Sequence, residues 1–240
     1  MRESVKQFPT VLAASLAVVT SLGGLIYATT GPGNTLERPA SSVFGPATVI
    51  DGDTINVGGR RVRLEGIDAP ELRQSCPGRW WGRWSAGRDA ATALRRMVVG
   101  KSVTCIGHGR DSYGRLLGVC AAGGVELNRA MVRQGLAWAF IKYSSSYVAE
   151  ERAAKSDRLG VWQSDCKPAW EYREARWSTG ASAAPRGCAI KGNITNRGRH
   201  VYHMPWSPWY TRTKIELSKG ERWFCSEAEA IRAGWEPSRS

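Results

Sequence analysis

The stretch from Val49 to Glu71, VIDGDTINVGGRRVRLEGIDAPE, decides the fold. Asp51-Gly52-Asp53 is a tight turn, Thr54 to Val57 a strand, Gly58-Gly59 a hairpin turn, and Arg60 to Leu64 the returning strand. Gly66 to Glu71 closes the unit as a loop. Asp53 and Asp68 stand at the two ends of this one hairpin, where folding can bring them together. Two hard carboxylates in one place suit a hard cation such as Ca²⁺. Arg63, alternate to Arg61 on the strand, can face the same place beside a phosphate, and Glu71 is near enough to activate a water. A metal, a carboxylate and a guanidinium together point to phosphodiester hydrolysis. Any one of these acids alone would read as part of a solvated hairpin.

A second turn, Asp111-Ser112-Tyr113-Gly114-Arg115, precedes the apolar run Leu116 to Cys120. DGDT at Asp51 to Thr54, Arg63-Leu64, GIDAPE at Gly66 to Glu71, DSYGR at Asp111 to Arg115 and VRQGLA at Val132 to Ala137 follow one another in order. In these pieces the sequence resembles the staphylococcal-nuclease-like (thermonuclease) family, over about residues 45–165. The resemblance implies that Asp53 and Asp68 bind Ca²⁺ through their carboxylates and Ala69 through its carbonyl. It implies that Glu71 orients or deprotonates the attacking water. Arg63 and Arg115 would hold the scissile phosphate, Tyr113 a second phosphate, and Tyr143 would stack on a base. The activity implied is a Ca²⁺-dependent endonuclease acting on DNA and RNA, preferably single-stranded or frayed, and leaving 3′-phosphates. Two positions depart from the family. Ser112 stands where its best-known member has a lysine, which removes one phosphate contact, and Ala69 replaces a threonine, which a backbone ligand tolerates.

The fold class expected is α+β, mainly β. Strands at Gly45 to Ile50, Thr54 to Val57, Arg60 to Leu64, Ser102 to Cys105 and Leu116 to Cys120 alternate with three helical patterns, at Ser85 to Val99, Val125 to Leu136 and Ser146 to Arg158. The resemblance implies a five-stranded, partly open Greek-key barrel, the OB-fold, which binds oligonucleotides on one face. Between Glu71 and the first helix, Arg73 to Trp84 (RQSCPGRWWGRW) is open to two readings: a groove wall that stacks bases, or a surface loop with tryptophans packed inward. His108 is expected to be a solvated turn histidine, since Glu71 already serves as base.

The chain has 240 residues and a net charge of +13. Residues 45–165 carry 18 basic and 12 acidic groups, and residues 166–240 carry 13 and 7. A basic surface favours polyanions, nucleic acid foremost. The domain order expected is a signal anchor or signal peptide at 1–29, a linker at 30–44, the barrel at 45–165, a basic connector at 166–186 and a small cysteine-containing module at 187–236. In the first segment, Arg2 and Lys6 precede the 18-residue apolar run Val11 to Ala28. That run is at the lower limit for spanning a bilayer. The charge bias keeps the N-terminus inside and exports the remainder. An uncleaved membrane anchor is preferred to a cleaved leader, because Ala28-Thr29-Thr30 is a poor cleavage site. With the leader cleaved, the protein would be secreted or periplasmic. A monomer is expected.

Six cysteines fit an oxidising compartment. Cys105 and Cys120 end successive apolar runs and suit a cross-strand disulfide. Cys188 and Cys225 bracket the tail and are expected to pair, which leaves Cys76 and Cys166 as partners by elimination. Free buried thiols are the alternative, which the leader argues against. Cys188, His200, His203 and Cys225 also make a tetrahedral zinc donor set, though not at a zinc-finger spacing, so the disulfide is the default. The tail resembles a short module that follows thermonuclease domains in exported bacterial proteins, some assigned to exopolysaccharide (succinoglycan) biosynthesis. Two other functions therefore stand beside the nuclease: a silent nucleic-acid-binding module on the same barrel, and an accessory role in exopolysaccharide biosynthesis. Relatives that only bind usually lack part of the set Asp53, Arg63, Asp68, Glu71 and Arg115, all of which are present here.

Overall fold

Five strands close on themselves. In the computed structural model, which describes residues 41–111 and 113–238, β1 (Ser41–Val49) pairs antiparallel with β2 (Thr54–Val57), and β2 with β3 (Arg60–Leu64). The Gly58-Gly59 turn joins β2 to β3 with φ values of 54° and 83°. Positive φ at both central residues gives the twist a two-residue hairpin needs, and only glycine adopts it freely. After the first helix, α1 (Ala86–Val98), β4 (Ser102–Arg110) pairs with the far side of β1. The fifth strand, β5 (Leu116–Ala122), pairs antiparallel with β4 and parallel with β3, aligning Arg63 with Leu117. That last pairing closes the barrel, which the family resemblance implies to be partly open.

The barrel is filled by alternate residues of its strands. Ile55, Val57, Val62, Leu64, Val103, Leu116 and Ala122 are buried in one cluster with Leu94 of α1 and Leu127 and Met131 of α2 (Leu127–Arg133). Removing each larger aliphatic side chain from water contributes about 1.5–3 kcal/mol. Ala86, Ala90, Leu94 and Val98 recur every four residues, the spacing that gives α1 one buried face. Gly87 on that helix packs against the backbone of Glu71 and Leu72; a Cβ there would lie 2.8 Å from Leu72 Cα and collide with the Glu71 carbonyl. The loop carrying Glu71 is thus seated directly on α1.

The first, fourth and fifth strands run further than expected, starting at Ser41 and ending at Arg110 and Ala122, because their pairing continues along the barrel. His108 lies on β4, at the irregularity between Gly107 and Gly109, and its Nδ1 is 2.6 Å from Glu65 Oε2, so it is exposed as expected but on a strand and not in a turn. α3 (Val148–Ser156) follows the barrel, and Trp162 packs with Cys76, Trp138 and Val161 in a second cluster.

The stretch 166–186, which sequence reading leaves as a connector, is a helix: α4, Ala169–Ala183. Beyond it, β6 (Ile190–Ile194) sits between β7 (His200–His203) and β8 (Arg222–Phe224), with Glu236–Pro237 added parallel to β7. Ile190, Tyr202, Phe224, Ala230 and Trp235 form the core of this tail module. Its helix α5 (Glu227–Arg232) starts with a reciprocal cap: Glu229 N donates to Ser226 Oγ, and Cys225 N donates to Glu229 Oε2.

The cysteines pair as Cys76–Cys166, Cys105–Cys120 and Cys188–Cys225. The third bond removes two donors from the zinc alternative. His200 stacks on Trp235, and His203 Nε2 donates to Asn193 Oδ1 at 2.8 Å, so each tail histidine has a partner within the module. The apolar run Val11 to Ala28, read as an anchor, lies outside the described residues; among the described residues no helix is long and apolar enough to cross a membrane.

Candidate active site

The hairpin delivers its acids as its turns dictate. Asp53 N donates to Asp51 Oδ1, and Leu64 N to Asp53 O, which pins the Asp53 turn against β3. The Asp53 side chain then accepts from Thr54 Oγ1 at 3.2 Å and from Ala69 N at 2.7 Å. Ile67–Asp68 pairs with Trp138–Ala139, a short bridge that fixes Asp68 opposite. Asp53 and Asp68 are 2% and 0% exposed, so both carboxylates have given up their water. One guanidinium joins them: Arg63 Nη1 donates to Asp53 Oδ1, and Nη2 donates to Asp68 Oδ1 at 2.8 Å.

Burial pushes the Asp53 carboxyl up to about 7; the charge of Arg63 opposes that rise, while Asp51 and Asp68 add to it. Burial is also the main cause that raises Glu71, against the pull of Arg173. For Arg63 desolvation acts downward, yet Asp53 and Asp68 together carry it above its ordinary range.

Glu71 sits in a loop tied down on three sides. Gln74, buried, accepts from Glu71 N at its Oε1 and donates through Nε2 to Lys167 O at 2.7 Å. Cys76 is bonded to Cys166 just beyond. The Glu71 loop, the root of α4 and α1 therefore form one connected support.

The second turn is organised by Asp111. Its carboxylate accepts from Tyr113 N and Arg115 N, and binds Arg115 Nε at 2.6 Å. Arg115 lies over the Tyr113 ring, 5.0 Å to the centroid. Glu227 of the tail is raised chiefly by burial, against hydrogen bonds from Tyr202 and Tyr113 and the charge of Arg115. Tyr143 is 69% exposed and meets Phe140 edge-on at 5.0 Å.

Asp53, Ala69, Glu71, Arg63, Tyr113, Arg115 and Tyr143 line one cleft of about 880 Å³, and Asp68 reaches it through the Arg63 bridge. Arg115 remains on Asp111, apart from the Asp53–Asp68 pair. Trp80 and Trp81, 78% and 87% exposed, stand at the tip of the 73–84 loop and do not line the cleft, whereas Trp84 packs inward.

Sequence reading misses two contributors. The tail module supplies Tyr202, Met204, Trp206 and Glu227 to the cleft wall. Arg173 of α4 enters the centre: it donates to both oxygens of Asp68, at 3.1 and 2.7 Å, and to Glu71 Oε1 at 2.9 Å. The available signal was Trp170, Arg173 and Trp177 at spacings of three and four, bounded by Pro168 and Pro185. Trp170 stacks on Phe140 of the barrel side, and Trp177 packs against the tail core.

The family described as Staphylococcal nuclease homologue matches residues 61–164. A protein of Escherichia coli O157:H7 named as an uncharacterized endonuclease is 38% identical over 136 residues, 53% of this chain and 82% of that one. The chain belongs to the staphylococcal nuclease family. Like its nuclease relatives it is a hydrolase of the nuclease class. The succinoglycan biosynthesis protein ExoI of Rhizobium meliloti is 35% identical over 140 residues, 57% of this chain and 73% of that protein. The staphylococcal-like nuclease CAN1 of Arabidopsis thaliana is 31% identical over 117 residues, 48% of this chain and 33% of the plant protein. The family ArfC matches residues 174–237, the tail. Arg173 falls between the two matched regions.

Proposed function

We propose that the protein is a Ca²⁺-dependent endonuclease that hydrolyses DNA and RNA and leaves 3′-phosphates. The observation that carries this reading is the Asp53–Arg63–Asp68 bridge, with Glu71 joined to Asp68 through Arg173, in one cleft that Arg61, Arg110 and Arg115 also line. The donor set fits calcium: two buried carboxylates close enough to share one guanidinium, with the Ala69 carbonyl beside them, all hard oxygens. Among the described residues no cluster of three or more His, Cys, Asp or Glu side chains is placed for a metal, so water and substrate phosphate would complete the shell.

In this mechanism Asp53, Asp68 and the Ala69 carbonyl would hold the ion, which would supply Lewis-acid polarisation of the phosphoryl oxygen. Arg63 exchanges its carboxylate partners for the scissile phosphate. Arg115 leaves Asp111 for the same group and stabilises the charge that builds up on it. Glu71 takes a proton from the attacking water at a carboxylate oxygen; the water oxygen bonds to phosphorus as the bond to the 5′-oxygen breaks, and that oxygen takes a proton from solvent to leave as a 5′-hydroxyl. Tyr113 and Tyr143 hold a neighbouring phosphate and base; the exposed ring of Tyr143 suits a single-stranded or frayed substrate.

Three disulfides support a site outside the cytoplasm, and the leader would hold it at the membrane. We assign residues 1–29 to that leader and 187–236 to a separate tail module; the linker expected at 30–44 gives way to β1 from Ser41 onward. The likeness to ExoI favours one second reading, an accessory role in exopolysaccharide biosynthesis, in which cleavage of nucleic acid would be incidental. The test is digestion of single-stranded DNA and RNA by the purified protein, with Ca²⁺ and with excess chelator. Cleavage only with Ca²⁺ supports the proposal; full activity in chelator refutes it.

A further inference from the structure

The carboxylates that would hold the ion already have a cationic partner from outside the barrel. Both oxygens of Asp68 accept from Arg173, and the same guanidinium reaches Glu71. Asp68 is fully buried, so a positive group beside it offsets a large desolvation cost. Arg63 supplies one such charge and Arg173 a second. The Arg173 side chain keeps 22% of its surface exposed, which leaves it a way out toward solvent. Its backbone is fixed. Gln74 and the Cys76–Cys166 bond hold the root of α4 against the Glu71 loop, Trp170 stacks on Phe140, and Arg176 donates to Pro205 O.

We infer that Arg173 is a positioning residue of the active site, a tethered cation that competes with the divalent ion for Asp68 and sets the metal affinity. The inference rests on the calcium reading above. A dication arriving between Asp53 and Asp68 meets a fixed positive charge hydrogen-bonded to one of its ligands, and Coulomb repulsion at that range is only partly screened. A polyanionic substrate relieves the conflict, because its phosphates offer Arg173 and Arg63 other partners. Metal and nucleic acid should therefore bind cooperatively, each tightening the other.

The test is calorimetric titration of Ca²⁺ into the metal-free full chain and its Arg173→Gln and Arg173→Lys variants, with melting in chelator as a second readout. Arg173→Gln removes the charge and should bind Ca²⁺ at least about tenfold tighter. It should melt lower in chelator, and most of that loss should return with Ca²⁺. Arg173→Lys keeps the charge and should stay within about threefold of the parent affinity. Should the glutamine variant fail to fold, the wild-type chain still decides. One set of arginine Nη–H resonances, assigned with the lysine variant, should be protected from exchange in chelator and lose that protection on adding Ca²⁺. Unchanged or weaker Ca²⁺ affinity in a folded Arg173→Gln protein, or protection that survives saturation with Ca²⁺, would overturn the inference and leave Arg173 a structural residue. Absence of Ca²⁺ uptake in every variant refutes the calcium reading itself, and this inference with it.

Discussion

The two walls of the cleft are built differently. On the barrel wall the acids are fixed by backbone: Asp53 by Ala69 N and the Leu64 N–H, Asp68 by a strand bridge, Glu71 by a loop seated on Gly87. The cations reach in on long side chains, Arg173 from α4 on the other wall and Arg115 from the Asp111 turn at the barrel's rim, held by ion pairs and, for Arg115, by the Tyr113 ring. Rigid anions and movable cations suit phosphate chemistry. In the proposed mechanism the ion site would keep its shape, while the arginines would change partners when the substrate brings its own negative charge.

Breaking the fixed side should have the largest effect. Glu71→Gln keeps the loop but removes the base, and should slow cleavage by about 10²–10⁴-fold, with oligonucleotide affinity nearly unchanged. Single-turnover rates and binding measured side by side check this. A near-normal rate would move the role of base to another group.

The two disulfides sharpen the contrast in stability. Cys76–Cys166 spans 90 residues and fastens α4 beside the Glu71 loop, whereas Cys105–Cys120 spans 15 within the barrel core. In the chain-entropy account the longer closure is worth about 4–5 kcal/mol and the shorter about 3. Denaturant unfolding of the Cys76→Ser/Cys166→Ser pair should show the larger loss. The turn that carries Arg115 is held by Asp111 itself, so removing the shorter bond should lower stability more than it lowers activity.

A gentler probe of the fixed wall is pH. Burial raises Asp53 from an ordinary 3.8 to about 7 in the folded, metal-free protein. Between these values the folded chain binds more protons than the unfolded one, so stability falls as pH rises from about 4 to about 7. Asp53→Asn should flatten the profile across that window. Stability rising through the same range would show that Asp53 is held ionised.

How much of this was legible in the sequence follows from where each contact closes. Asp53, Arg63, Asp68 and Glu71 lie within 19 residues, and the Gly58-Gly59 turn and the alternation on β3 bring them together locally. Closure of the barrel needs β3 beside β5, a parallel pairing with no turn to announce it. Arg173 meets Asp68 across 105 residues. Its helix carries Trp170, Glu171, Arg173, Arg176, Trp177 and Gly180 around most of its circumference, so no clean apolar stripe marks it, because two of its faces are in use at once. The tail contributes to the cleft in a way hidden for a similar reason: Tyr202 belongs to a separate core and Glu227 to the helix on it, and they meet Tyr113 and Arg115 only in the assembled fold.

The central claim is that the fixed acids hold Ca²⁺ for attack of water on a phosphodiester with departure of the 5′-oxygen. Mass analysis of the fragments released from a defined single-stranded oligonucleotide in Ca²⁺ tests it most directly. The account predicts fragments ending in 3′-phosphate and free 5′-hydroxyl, absent with chelator and absent for Asp68→Asn. Fragments bearing 5′-phosphates, or the same yield from Asp68→Asn, would contradict it.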